Sequence, residues 1–168
     1  MLQIYTGNGK GKTTASLGLG LRAVGAGKKV LLIQFLKDGK SSEIKVIKKI
    51  KNFEVKSFGK KGFVSKDNLI EKDYDLAMQG FNFAKESIKS KKYDLIVLDE
   101  INTANYFDLI KTEDLINLIK KIPSKMELIL TGRKASKELI QIADLVTEMK
   151  EIKHYYIKGI KSRKGIEF

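Results

Sequence analysis

The chain has no cysteine and no tryptophan, and among its 168 residues only one proline, Pro123, and one histidine, His154. Without cysteine there is no disulfide framework and no thiolate metal site. One histidine and no thiol leave few groups for nucleophilic or imidazole-based catalysis. A lone histidine is more often structural, and His154 is read that way. No apolar run approaches the roughly 20 residues that cross a bilayer. The opening MLQIYTGNGK lacks the basic, apolar and cleavage segments of a secretory signal. A cytoplasmic enzyme without membrane association is expected. No linker, repeat or low-complexity stretch interrupts residues 1–168, so one domain is expected.

Arginine is also scarce. It stands only at 22, 133 and 163, so nearly all of the 33 basic residues are lysine. The net charge of +13 invites a nucleic-acid partner. Specific readers of bases lean on arginine for two-pronged contacts, and here the lysines are scattered, as in Lys48-Lys49 and Lys120-Lys121. The charge therefore reads as a solvated lysine surface whose field favours a phosphate-rich small ligand, with no specific nucleic-acid partner.

What is present is an alternation of strands and helices. Leu2 to Thr6, Val30 to Phe35, Phe53 to Phe58, Tyr93 to Leu98 and Met126 to Thr131 read as strands. Thr13 to Ala26, Ser42 to Ile50, Asp67 to Lys89, Thr112 to Ile122 and Ser136 to Ile142 carry helical spacing. Leu145 to Lys150 and Ile152 to Ile157 read as two further short strands. The continuous apolar runs VLLIQF and YDLIVL suit strands covered on both faces. An α/β fold with a mainly parallel central sheet and helices on both faces follows. Ligands of such sheets bind beyond the carboxyl ends of the strands, where residues 7–14, 99–102 and 131–133 should converge.

The first of these clusters is Thr6, Gly7, Asn8, Gly9, Lys10, Gly11, Lys12, Thr13 and Thr14. It follows a strand and opens a helix, the context a P-loop requires. Glycines let backbone N–H groups turn toward phosphates, and the helix N-terminus adds positive potential. Lys12 supplies a cation for phosphate oxygens, and the Thr13 hydroxyl can ligate Mg²⁺. In the usual pattern a glycine stands five residues before Gly11; here that residue is Thr6. The loop is effectively shorter, so an ordinary γ-phosphate pocket is in question. The second cluster is Asp99-Glu100 at the end of a buried strand. One or both would hold Mg²⁺, directly or through water; alternatively the pair caps the next helix. In the third, Arg133 follows Thr131-Gly132 and faces either the ligand or a surface ion pair. Arg22 in the first helix carries the same two readings.

Together these residues resemble the CobA-type corrinoid adenosyltransferases, also called cob(I)alamin or cob(I)yrinic acid a,c-diamide adenosyltransferases. The resemblance covers nearly the whole chain. It rests on Tyr5-Thr-Gly-Asn-Gly-Lys-Gly-Lys-Thr-Thr14, Arg22-Ala-Val-Gly-Ala-Gly-Lys28, Gln34-Phe-Leu-Lys37, Val97-Leu-Asp-Glu-Ile-Asn102, Thr131-Gly-Arg133, Ala143-Asp-Leu-Val-Thr-Glu-Met149, Lys153-His154 and Gly165-Ile-Glu-Phe168. It implies a RecA-like P-loop fold, a homodimer, and attack of Co(I) on C5′ of ATP with triphosphate leaving. It further implies ATP lying in reversed direction along the loop, which suits the shortened loop, and a flavoprotein electron donor. By motif position Asn8 to Thr14 would touch phosphates or metal, with Thr6 and Gly7 beside them. Thr13 and Glu100, with Asp99, would hold Mg²⁺; Arg22, Asn102 and Arg133 would lie near the nucleoside. The family's Gly-Phe-Thr-Trp segment, whose aromatics shield the lower face of cobalt, is here Gly62-Phe63-Val64-Ser65. Phe63 is the expected corrinoid contact: either it and a neighbour such as Phe58 shield the face without the tryptophan, or the shielding differs; the alternative reading of Phe63 is a core residue. The rival reading is a P-loop ATPase or phosphotransferase acting at the γ-phosphate.

Overall fold

Every side chain of β2 (Val30–Phe35) is buried, and so is every side chain of β4 (Leu95–Asp99). Successive side chains of a strand point to opposite faces, and the two sets enter different cores. Leu31, Ile33 and Phe35 join Ile96 and Leu98 on one face, under α3 (Glu71–Ser90), α4 (Ile101–Tyr106) and α5 (Thr112–Ile119). Val30, Leu32, Leu95 and Val97 form the other core with Leu17 of α1 (Lys12–Gly25) and Ile44 and Ile47 of α2 (Ser42–Ile47). The computed structural model describes residues 1–62 and 64–168.

The remaining strands are β1 (Leu2–Thr6), β3 (Phe53–Phe58), β5 (Glu127–Thr131) and β6 (Leu145–Glu148); α6 (Lys137–Ile142) precedes β6. The six strands form one sheet in the order β3-β2-β4-β5-β1-β6, and every pairing is parallel. This is the α/β, RecA-like P-loop architecture expected. The register aligns Gln34 with Asp99 and Tyr5 with Thr131. The carboxyl ends of β2, β4, β5 and β1 therefore lie side by side and hold the polar clusters together.

Two expectations need correction, and one helix was missed. Ile152 to Ile157 is not a strand: the chain makes a short 3-10 turn at Tyr155–Lys158, and Ile152 and Ile157 are exposed. The sheet ends at β6, and this segment does not pair with its outer edge. β6 stops at Glu148, opposite Thr6, because β1 there turns away into the glycine loop. The long helix begins at Glu71 rather than Asp67. The Asp73 carboxylate accepts the Ile70 N–H at 3.0 Å and fixes the first turn. Helix α4 went unread in the sequence; it is only six residues long and starts directly after Asp99-Glu100.

Candidate functional site

The glycine loop turns through left-handed backbone at Gly7 (φ 98°) and Gly11 (φ 117°), a region that L side chains enter at a cost. Gly11 is the residue before α1, and its carbonyl accepts the Ala15 N–H at 2.7 Å. The loop lies hard against the chain leaving β6. A Cβ on Gly7 or Gly9 would stand 2.5 or 2.6 Å from the Met149 carbonyl oxygen. The Gly9 N–H donates to that oxygen at 2.6 Å, and the Met149 N–H donates to Thr6 O at 2.8 Å. The Ala143–Met149 segment is thus the wall behind the loop, a role that no reading of the sequence assigned it. Lys12 is buried, its ammonium donating to the carbonyls of Gly7 (2.8 Å) and Gly9 (2.7 Å). Burial pushes its pKa below the ordinary lysine value, although Glu100 pulls the other way.

Asp99 is wholly buried yet fully served. Its Oδ1 accepts from the hydroxyls of Thr13 (2.8 Å) and Thr131 (2.7 Å); its Oδ2 accepts from Gln34 (3.1 Å) and Lys37 (2.8 Å). Burial would raise this carboxyl, but the Lys37 charge and the donated hydrogen bonds outweigh it and hold the pKa below the usual range. Lys37 also donates to Thr13 Oγ1 at 2.9 Å and lies 3.5 Å from Glu100 Oε1. Burial lowers the Lys37 pKa, but Asp99 and Glu100 prevail and raise it above the ordinary value. Glu100 itself sits in left-handed backbone (φ 62°). Its N–H donates to Thr131 Oγ1 at 3.0 Å, and its Oε2 accepts from Thr103 at 2.6 Å. Lys37 and Gln34 were within a quoted motif but were not picked as site residues. Position in a motif was their only signal.

A cleft of about 910 Å³ opens over this centre. Asn8 to Thr14, Lys37, Glu100 and Arg133 form its polar end; Leu17, Leu21, Val46, Ile47 and Ile50 form an apolar wall. His154 and Gly165–Phe168 close a third side. The Lys10 ammonium is engaged there by the Tyr155 hydroxyl (3.0 Å), the Ile166 carbonyl (2.9 Å) and the Glu167 carboxylate (2.9 Å). Glu167 also takes Arg163 and Tyr155, and these partners, Arg163 first, drive its carboxyl far below the usual range.

Not every expected residue reaches the cleft. Arg22 is exposed in the last turn of α1 and does not line it. Asn102 is fully buried and outside the lining; its amide nitrogen and oxygen find no partner among the described residues. Phe63 lies outside the described residues. Phe58 packs against the core, its ring 5.7 Å from that of Phe83.

A family model described as ATP:corrinoid adenosyltransferase BtuR/CobO/CobP matches residues 1–168. The chain belongs to the ATP:corrinoid adenosyltransferase family. It is 34% identical over 174 residues to a corrinoid adenosyltransferase of Sinorhizobium sp, covering 100% of this chain and 80% of that one. It is 30% identical to the corrinoid adenosyltransferase of Escherichia coli K12, covering 98% and 84%. The Salmonella typhimurium LT2 protein, corrinoid adenosyltransferase CobA, is 31% identical with the same coverage, 98% and 84%. None of these relatives is named as acting at a γ-phosphate.

Proposed function

We propose that this chain carries out its family's reaction, moving the 5′-deoxyadenosyl group of ATP onto Co(I) of a reduced corrinoid, with the glycine loop holding the triphosphate as leaving group. The observation that carries the loop's part is the gathering of Lys12, Lys37, Thr13 and Glu100 at one end of a cleft whose other wall is apolar. The Co(I) electron pair forms the Co–C5′ bond, and the C5′–O bond breaks with its electrons passing to triphosphate. No proton moves, so no general base is called for.

The chain's own task is positioning and charge. Lys12, the loop N–H groups and the N-terminus of α1 stabilise the negative charge that grows on the departing oxygen. The apolar wall of Leu17, Leu21, Val46, Ile47 and Ile50 excludes water and holds the rest of the ligand in line. The donor set fits Mg²⁺: Thr13 Oγ1, Asp99 Oδ2 and Glu100 Oε1 already surround one cation, the Lys37 ammonium, at 2.9, 2.8 and 3.5 Å. These residues would hold the ion, and when bound it supplies two further positive charges to polyphosphate oxygens. The unpartnered amide of buried Asn102 supports its part as a nucleoside contact. The shorter loop, with Thr6 where the usual pattern has glycine, supports reversed nucleotide polarity.

The resemblance also carries a homodimer, a flavoprotein electron donor and a cytoplasmic setting. Among the described residues no helix is long and apolar enough to cross a membrane. A dimer would sediment at twice the 19.0 kDa chain mass. For the activity, the protein is mixed in the dark with ATP, Mg²⁺ and chemically reduced cobalamin. A light-labile alkylcobalamin spectrum is expected, and Lys12→Ala is expected to abolish it. Undiminished product from Lys12→Ala would remove the loop from the mechanism. Phe63→Ala is expected to slow reaction starting from Co(II) far more than from Co(I); equal slowing would reduce Phe63 to a packing residue.

A further inference from the structure

Lys37 is put in place by the backbone. Leu36, at the end of β2, adopts left-handed φ of 59°, uncommon for a bulky residue. The turn is possible because residue 59 is glycine: a Cβ there would lie 2.1 Å from Lys37 N and 2.4 Å from Leu36 C. The chain so bent sends Lys37 back across the ends of β2 and β4. Its ammonium reaches Asp99 Oδ2 at 2.8 Å, Thr13 Oγ1 at 2.9 Å and Glu100 Oε1 at 3.5 Å. These are the three oxygens assigned above to the metal. An ammonium and a divalent cation cannot share them, since like charges that close repel strongly away from bulk water.

We propose that Lys37 is a built-in occupant of the cation seat, which keeps free divalent ions out and yields only to a metal arriving with polyphosphate. The displaced ammonium then has a nearby partner, because Lys37 lines the same cleft as Lys12 and the loop. It turns from the carboxylates to phosphate oxygens and adds its charge to the leaving group. Lys37 is thus a positioning residue that makes metal entry conditional on nucleotide. The proposal rests on Thr13, Asp99 and Glu100 being the metal seat.

The test is a Mn²⁺ titration followed by electron paramagnetic resonance, with neither nucleotide nor corrinoid present. The unsubstituted chain is expected to bind Mn²⁺ about tenfold or more weakly than Lys37→Met, which frees the carboxylates. Lys37→Arg keeps the charge and is expected to exclude the ion as the lysine does. If Lys37→Met does not fold, the melting temperature of the unsubstituted chain still decides. It should not move with Mn²⁺ alone and should rise with Mn²⁺ plus inorganic triphosphate by more than with triphosphate alone. Equal Mn²⁺ affinity in the lysine and methionine proteins, or a Tm raised by Mn²⁺ alone, would overturn the proposal. A parallel titration of Glu100→Ala with ATP present separates the two readings. Weakened Mn²⁺–ATP binding there keeps the seat where it was assigned even if the Lys37 proposal fails.

Discussion

Two lysines of the cleft meet two sets of partners, and the difference lies in burial. Lys37 is paired with Asp99, whose side chain is 0% exposed and is bound by three further donors from β2, β5 and the glycine loop. Lys10 is paired with Glu167, whose side chain is 16% exposed, in a C-terminal segment that has no strand or α-helix beyond β6; the two lysines themselves are comparably exposed, 33% and 43%. Charges in the first network are little screened, and losing either partner strands the other. Charges in the second compete with water and salt, and such pairs contribute little to stability. The strand-end centre, the Lys37 ammonium apart, is accordingly the more firmly held part of the site, and the Lys10 clasp the more weakly held.

Substitutions that sharpen or break this contrast can be ranked by size. The largest effect is expected at Lys12: Lys12→Ala should slow adenosyl transfer from ATP to pre-reduced cobalamin by about a hundredfold or more. A fall of only a few-fold in single-turnover assays would move charge stabilisation elsewhere.

Next is Asp99→Asn, which leaves Lys37 facing a neutral amide. It should lower stability by roughly 3 kcal/mol in urea titrations. The sign of its pH dependence follows from the depressed Asp99 pKa. The stabilisation is present above the unfolded value of 3.8 and is lost as pH falls through the lower folded value. Asp99→Asn should flatten that acid limb. An unchanged limb would mean that another carboxylate governs acid unfolding.

Glu100→Gly should do two opposite things. Relief of left-handed backbone at φ 62° should raise stability by about 1 kcal/mol, while transfer activity falls with the lost carboxylate. A destabilised protein would show that the Thr103 and Lys37 contacts of Glu100 outweigh its strain. The smallest effect is expected at Glu167→Gln. Its Tm should hardly change, and the apparent KM for ATP should move by no more than a few-fold. Strong destabilisation would show that the clasp is a structural element after all.

The same contrast explains how far the sequence could be read. β2 and β4 were legible because burial on both faces leaves unbroken apolar runs, and the polar residues just past them had to lie at the sheet's carboxyl edge. The glycine loop and Asp99-Glu100 were legible as motifs with a chemical reason for each residue type. Lys37 was not, because it is one of many lysines and its place depends on a turn at Leu36 and on the missing side chain of Gly59, just past the neighbouring strand β3. The wall at Met149 was hidden for a similar reason: its contribution is a backbone carbonyl, which any residue carries. At the C-terminus, Ile152 to Ile157 misled because local alternation says nothing about whether the segment is carried to a sheet edge. Lys10 was assigned by motif position and does line the cleft, but its partners Tyr155, Ile166 and Glu167 come from far along the chain and could not be read from the motif.

Phosphorus NMR of the products formed from ATP and a reduced corrinoid bears most directly on the central claim. If the loop grips the polyphosphate as a leaving group, inorganic triphosphate must appear in step with the adenosylated corrinoid. ADP and orthophosphate in its place would mean that the bond cleaved lies at the far end of the nucleotide, and the account would be wrong.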